Sequence, residues 1–314
     1  MGSAGLGRRT RLAMPTLLIG ANLPDVDVLS YFWGKDAALQ FRRGWTHGVL
    51  ALVVLPLVLT GLMMLWYRLA PRGDGASPDS PFRAREILWL SAVAILTHPF
   101  LDWMNVYGMR WLMPFRDTWF YGDTLFIVDP WIWLALAVGL VLGRLGTRST
   151  RPARIALTLV AGYILVMAAL ARVARRQAEA AFHTAEPLPR RLMVAPVPGD
   201  PFRRDILAVR DSVYRLGSLR IWPRAVADTA VAAAIPIRAA DLVAQAAARD
   251  PRGAAFLRWS RFPYFRWLVR DSTATVRIID ARFQQEWASV EVETTVSGER
   301  GVRSPWRLTL EGPY

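Results

Sequence analysis

Ile87-Leu88-Trp89-Leu90-Ser91-Ala92-Val93-Ala94-Ile95-Leu96-Thr97-His98-Pro99-Phe100-Leu101-Asp102 is an apolar run that closes on a histidine and an aspartate. His98 and Asp102 are four residues apart, so a helix puts both on one face. The chain has three histidines in all. One of them beside an aspartate in a membrane-like segment is costly unless it has a partner. His47 stands at the mouth of a second apolar run, and the pair Asp25 and Asp27 closes an earlier one. We expect these three places to meet in space and to hold a metal ion.

The chain has 314 residues, long enough for two units or one large one. It is 53% hydrophobic and carries a formal net charge of +14. Nearly all of that charge is arginine, and Lys35 is the only lysine. Such a balance suits nucleic acid or an anionic membrane surface. The arginines are scattered and no recognition motif accompanies them, so we expect no nucleic-acid partner. Cysteine is absent, which excludes disulfides and thiolate zinc sites.

Leu12 to Leu23 reads as a membrane-associated or short spanning helix rather than a cleaved signal, because no A-x-A-like site follows. Gly48 to Tyr67 is uncharged and about twenty residues long, which matches a ~30 Å hydrocarbon core. Ile87 to Tyr107 is a second span, Leu125 to Leu142 a third and Ile155 to Val173 a fourth. Residues 108–124 are aromatic and polar and read as an interfacial segment. After Arg175 the composition changes. Arg204 to Val209 and Ser212 to Ile221 alternate, Arg238 to Arg249 reads as a helix, and Thr275 to Phe283 and Ala288 to Val296 read as strands. The expected fold is an α-helical integral membrane domain of four to five spanning helices, residues 1–175, carrying the metal site. A soluble, water-facing α+β domain follows, residues 176–314.

Four spans place loops 68–86 and 143–154 on one side. His47, the end of the 87–107 helix, Asp123, Asp129 and the C-terminal domain fall on the other. A slight excess of arginine on the first side points the C-terminal domain away from the cytoplasm.

Divalent metals take imidazole and carboxylate ligands from separate elements, and a hydrolytic site keeps a position open for water. Asp25, Asp27, His47, His98 and Asp102 are the candidates. Zinc or manganese suits this nitrogen and oxygen mix better than copper(I), which prefers sulfur. A carboxylate not bound to the metal is available as general base. Plainer roles stand beside these. Asp25 after Pro24 suits a helix cap or a turn, His47 an interfacial histidine, and Asp102 a hydrogen bond with His98. Asp123 and Asp129 fit helix starts better than chemistry. His183 reads as a solvated linker residue.

Leu23-Pro24-Asp25-Val26-Asp27, Arg43-Gly44-Trp45-Thr46-His47 and Thr97-His98-Pro99-Phe100-Leu101-Asp102, followed by Pro114-Phe115, resemble the LexA-regulated, inner-membrane metal-dependent hydrolase family. That family shows an LPDxD segment, an RGxTHS segment before a spanning helix, and a helix with SHxxxD before a W-P turn. The order and spacing match over about residues 12–135. The resemblance implies a bacterial inner-membrane location and Asp25, Asp27, His47, His98 and Asp102 as metal-binding and catalytic residues. Three departures stand out: the family's histidine ahead of LPDxD has no counterpart, since no histidine precedes His47, its histidine before RG is Arg42 here, and its serine after TH is Gly48.

Two functions follow. The first is a membrane-bound metal-dependent hydrolase, with metal-activated water attacking a lipid or lipid-linked phosphate at the membrane face. The second is a non-enzymatic integral membrane protein with a structural metal or His/Asp cluster and a partner-binding C-terminal domain. A transporter fits less well, because there is no inverted repeat and the polar groups gather at one face instead of the midplane.

Overall fold

A computed structural model describes residues 1–69, 82–145, 149–183, 189–223, 226–270, 273–283, 289–296 and 302–303. The chain divides into two compact units. Residues 1–29, 41–173 and 195–203 form the first, and 30–40, 174–194 and 204–314 the second.

The first unit is helical. Its elements are α1 (Ala13–Asn22), α3 (Val49–Leu69), α4 (Ala84–Met104), α5 (Pro130–Leu145) and the start of α6 (Arg151–His183). A 3-10 segment, Leu23–Trp33, and the short α2 (Lys35–Phe41) lie between α1 and α3. α4 packs against both α1 and α3. Ala13, Leu17, Leu90 and Ala94 fill the first contact, and Leu59, Met63, Ile87 and Ile95 the second. Close approach of α1 to α4 depends on Gly20, where an added Cβ would lie 2.9 Å from Ala94 Cβ. Small residues at crossings are how apolar helices gain contact when lipid removes the hydrophobic incentive. The outer faces carry exposed Val53, Leu57, Leu62, Leu134 and Leu165.

Among the described residues three helices are long and apolar enough to cross a membrane: α3, α4 and residues 151–182 of α6. The expected run 125–142 forms a helix only from Pro130, giving 16 residues. Asp129 sets that start. Its Oδ1 accepts the N–H groups of Trp131 and Ile132, and its Oδ2 accepts from the Tyr163 hydroxyl at 2.9 Å. This is the capping role that aspartate favours at a helix N-terminus. α1 has ten residues, about 15 Å of rise and half the hydrocarbon thickness. The expected fourth span, 155–173, lies inside a helix of 33 residues that continues to His183.

Two stretches lock the helix ends where the polar residues lie. The last carbonyls of α4 would be orphaned, but Trp103 O accepts from Gly122 N and Met104 O from Thr124 N and Leu125 N. The start of α3 is held by Val49 N donating to Trp111 O, 2.8 Å, and by Arg110 N donating to Arg43 O, 2.9 Å.

Two four-stranded sheets make up most of the second unit, with residues 195–203 of the first sheet assigned to the first unit. One has the order β1 (Arg191–Val197), β2 (Asp200–Arg210), β3 (Val213–Arg220) and β4 (Val226–Pro236). The other is an antiparallel meander of β5 (Pro263–Arg270), β6 (Thr273–Asp280), β7 (Ser289–Val296) and β8 (Val302–Arg303). The end of α6 lays Ala174, Ala178 and Phe182, a four-residue repeat, on Val194, Ile206, Ala208 and Leu219. α7 (Leu242–Arg249) and α8 (Pro251–Trp259) pack on the second sheet. α8 begins at Asp250, whose carboxylate accepts from Arg252 N, with Pro251 at the first helical position.

Two expected outcomes follow from this packing. A Cβ on Gly48 would stand 2.4 Å from the carbonyl oxygen of Met113, a backbone atom that cannot rotate away. Gly48→Ala should therefore cost about 1–3 kcal/mol through overpacking. A thermal shift followed by tryptophan fluorescence checks this, and an unchanged midpoint would refute the packing.

The second outcome concerns Asp280. Burial pushes its carboxyl up, but the Arg282 charge and the hydrogen bonds from Arg282 and Ser260 hold it below its ordinary 3.8. A carboxylate with a depressed folded pKa stabilises above its unfolded value and loses that contribution as pH falls through the folded one. Wild-type sheet signal in circular dichroism should therefore weaken below about pH 4. Asp280→Asn should be destabilised by about 3 kcal/mol or more at pH 7, because the buried Arg282 charge loses its carboxylate. The gap between the two proteins should close on acidification, and a constant gap would refute the assignment.

Candidate metal centre

Three chain segments deliver the polar groups. Asp25 and Asp27 follow α1 in the 3-10 turn, where Pro24 ends the regular helix. His47 closes the turn 41–48, in which His47 N and Gly48 N both donate to Gly44 O. His98 and Asp102 occupy the last two turns of α4.

Four atoms from these segments converge. His98 Nε2 lies 3.4 Å from Asp25 Oδ1 and 3.7 Å from Asp102 Oδ2. His47 Nε2 lies 3.5 Å from Asp102 Oδ2 and 3.9 Å from Asp25 Oδ1. Ligands held at 2.0–2.2 Å around a tetrahedral ion stand about 3.3–3.6 Å from one another. The observed spacing is close to that. Asp25, His47 and His98 form the group of ligand-type side chains whose atoms all lie within 4.8 Å of each other; Asp102 stands outside that group, within reach of both histidines.

His47 is fully buried. Among the described residues its Nε2 and Asp102 Oδ2 make no hydrogen bond of good geometry, although they face each other. Two buried polar atoms left this way are costly. A cation at their meeting point would satisfy both, so the donor set fits a divalent metal.

The ring nitrogens turned away from this point are held. His98 Nδ1 is 2.7 Å from Ala21 O; a carbonyl only accepts, so Nδ1 carries a proton and Nε2 is the nitrogen turned toward Asp25 and Asp102. His47 Nδ1 lies 2.9 Å from Thr46 Oγ1 and 3.6 Å from Asp27 Oδ2. Asp27 therefore stands behind His47, while Asp25, His47, His98 and Asp102 gather in front. Its Oδ2 also accepts from Arg43 N at 2.7 Å. Carboxylates and carbonyls in that position fix the orientation and basicity of a ligating imidazole.

Arg43 is the group that the sequence reading passed over. Its guanidinium is buried and donates to Asp102 Oδ1 at 3.0 Å, to Asn105 Oδ1 at 3.2 Å and to Gly108 O at 3.3 Å. It so pins one oxygen of Asp102 and turns the other toward the histidines. The available signal was its place in the quoted Arg43-Gly44-Trp45-Thr46-His47 segment. Arg43 has φ +52°, and Gly44 beside it leaves room for Arg110, whose guanidinium donates to Arg42 O and pairs with Asp117. Asp25 is the open member of the group, with 60% of its side chain exposed. The hydrogen bond with His98 holds its carboxyl below the usual range, against the opposing effect of burial. Asp129 caps α5 as described, and His183 is the last residue of α6.

Comparison with known proteins bears on the whole first unit. Residues 1–175 match the YdjM inner membrane protein family. The uncharacterized protein YfhP of Bacillus subtilis (strain 168) is 24% identical over 278 residues, covering 87% of this chain and 78% of that one. An alignment of that length extends past residue 175. Inner membrane protein YbcI of Escherichia coli (strain K12) is 32% identical over 125 residues, covering 38% of this chain and 65% of that one. No solved structure matches. With more than half of its length matched and three helices fit to span a bilayer, the chain is a membrane protein and belongs to the YdjM inner membrane protein family.

Proposed function

We propose that the protein is a metal-dependent hydrolase of the bacterial inner membrane, acting on a lipid or lipid-linked phosphate at the membrane face. The observation that carries this reading is the pair of buried, unsatisfied atoms, His47 Nε2 and Asp102 Oδ2, turned toward Asp25 and His98. His47, His98, Asp25 and Asp102 would hold a divalent ion, zinc or manganese by ligand type. Such an ion, when bound, polarises a substrate oxygen and brings the pKa of its water near neutrality.

The chain's own residues do the rest. Ala21 O and Asp27 fix the two imidazoles so that Nε2 faces the site. Arg43 neutralises one oxygen of Asp102 and keeps the second available. Asp25 Oδ1 faces His98 Nε2 on the exposed side of the group, so a substrate would meet it first. Buried His47 and the apolar helix ends exclude bulk water from the inner side.

Metal content tests this directly. Purified protein should retain a near-stoichiometric divalent metal by elemental analysis. His47→Ala and His98→Ala should each weaken binding by at least about ten- to a hundredfold, the loss typical of merely supporting residues. His183→Ala should leave it unchanged. Metal-free protein, or three histidine variants that behave alike, would leave a structural His/Asp cluster with a partner-binding C-terminal domain as the better reading.

In the same proposal the chain crosses the bilayer four times, through α3, α4, α5 and α6, with α1 inserted beside them. The 16 residues of α5 rise about 24 Å, short of the ~30 Å core, and thinning or flanking residues would make up the rest. A slight excess of arginine on the other side supports residues 176–314 lying outside the cytoplasm. A cysteine replacing Ser212 should react with an impermeant maleimide in intact cells. Reaction only after lysis would reverse the orientation.

A further inference from the structure

The candidate metal centre is closed on three of its members and open on one. His47 has no exposed surface and His98 and Asp102 little, whereas Asp25 is largely exposed. Among the four, Asp25 is the side chain most open to an incoming molecule. Asp25 also lines a groove of about 550 Å³ between the second half of α1 and the 3-10 turn. Leu18, Ile19 and Leu23 form one part of its wall, and Val26, Val28 and Leu29 another. Its polar lining residues are Asn22, the last residue of α1, and Asp25, three residues further on in the 3-10 turn. The volume lies in the range of ligand sites. A water-soluble substrate would meet apolar wall beside Asp25. An amphiphile would match it end to end.

We infer that this groove holds an acyl chain of a membrane lipid, with the lipid's polar linkage placed at Asp25 and His98. The inference rests on the hydrolase reading and narrows its substrate to a molecule with a long aliphatic chain beside the bond to be cut. The occupant is a lipid and not a protein partner for two reasons. The groove is continuous with the site through Asp25, and the unit that bears it is a membrane domain with exposed apolar faces. Each methylene seated there is worth about fourfold in affinity. Leu18 and Val28, both more than half exposed, line the groove without supporting the helix core, so bulk added at either blocks the chain and not the fold.

Photolabelling tests it on the full chain in lipid nanodiscs. Two phosphatidylglycerol probes are used, one with a diazirine on the acyl chain near the ester and one near the chain end. The near-ester probe should label residues 22–26, and the chain-end probe should label other groove residues. Labelling at Val53 and Leu57 on the outer face of α3 measures ordinary lipid contact. Leu18→Trp or Val28→Trp should lower groove labelling about tenfold relative to α3, the equivalent of fewer than two methylenes. Metal content, measured on the same samples, should not change. Equal labelling of groove and α3 by both probes, unaffected by either substitution, means bulk lipid contact only and overturns the inference while leaving the metal reading intact. Metal-free protein overturns the hydrolase reading whatever the labelling shows.

Discussion

A buried imidazole facing a buried carboxylate oxygen, His47 Nε2 against Asp102 Oδ2, is the constraint around which the first unit is built. Apolar surroundings make both atoms expensive, and the second carboxylate, Asp25, adds repulsion of like charge. Arg43 relieves part of this. Its guanidinium takes Asp102 Oδ1, and its backbone N–H takes Asp27. One residue thus steadies two carboxylates, one in the group and one behind it. Its left-handed backbone is the local strain that such a double contact requires. A lysine could not replace it, because a point charge lacks the planar fork that reaches Asp102, Asn105 and Gly108 together.

Much of the site was legible because its residues are improbable where they stand. A histidine and an aspartate four apart at the end of an apolar helix have few structural excuses, and their shared face follows from helix geometry alone. The separation of Asp25 from Asp27 was not legible. Residues two apart in a 3-10 turn point in different directions, and only the fold shows which one meets His98 and which one backs His47. Arg43 was obscured for another reason. In a chain so rich in arginine, one buried guanidinium has no mark in the sequence beyond the motif that contains it.

The helices were legible and their ends less so. Hydropathy records where a bilayer would end, whereas hydrogen bonds decide where a helix ends. α6 passes Val173 without interruption because Ala174, Ala178 and Phe182 have a sheet to pack against. α5 starts late because Asp129 offers its carboxylate to the first free N–H groups. In the second unit, β6 and β7 showed their alternation, and the helix expected from Arg238 begins only at Leu242. β1, β4, β5, β8 and α8 went unread. α8 had a signal in Asp250-Pro251, an N-cap followed by proline at the first turn. β5 carries Trp267, Leu268 and Val269 with two of them well exposed, which blurs the period-two pattern.

The order in which the centre forms can be argued from what holds it. Asp25, His47 and the pair on α4 come from distant parts of the chain, so their meeting requires two loop closures, each with an entropic cost. The contacts that close those loops do not use the four converging atoms. Val49 N to Trp111 O, Arg110 N to Arg43 O, Gly122 N to Trp103 O and the α1–α4 packing at Gly20 are backbone or apolar contacts. The unused ring nitrogens are likewise held from outside, by Ala21 O and by Thr46 with Asp27. A site whose scaffold is complete without its centre is preorganised, and the cost of ordering its ligands is met by folding. An ion bound there, as proposed, would spend little on rearrangement. Such a site differs from small metal domains, in which the ion itself drives the chain to fold.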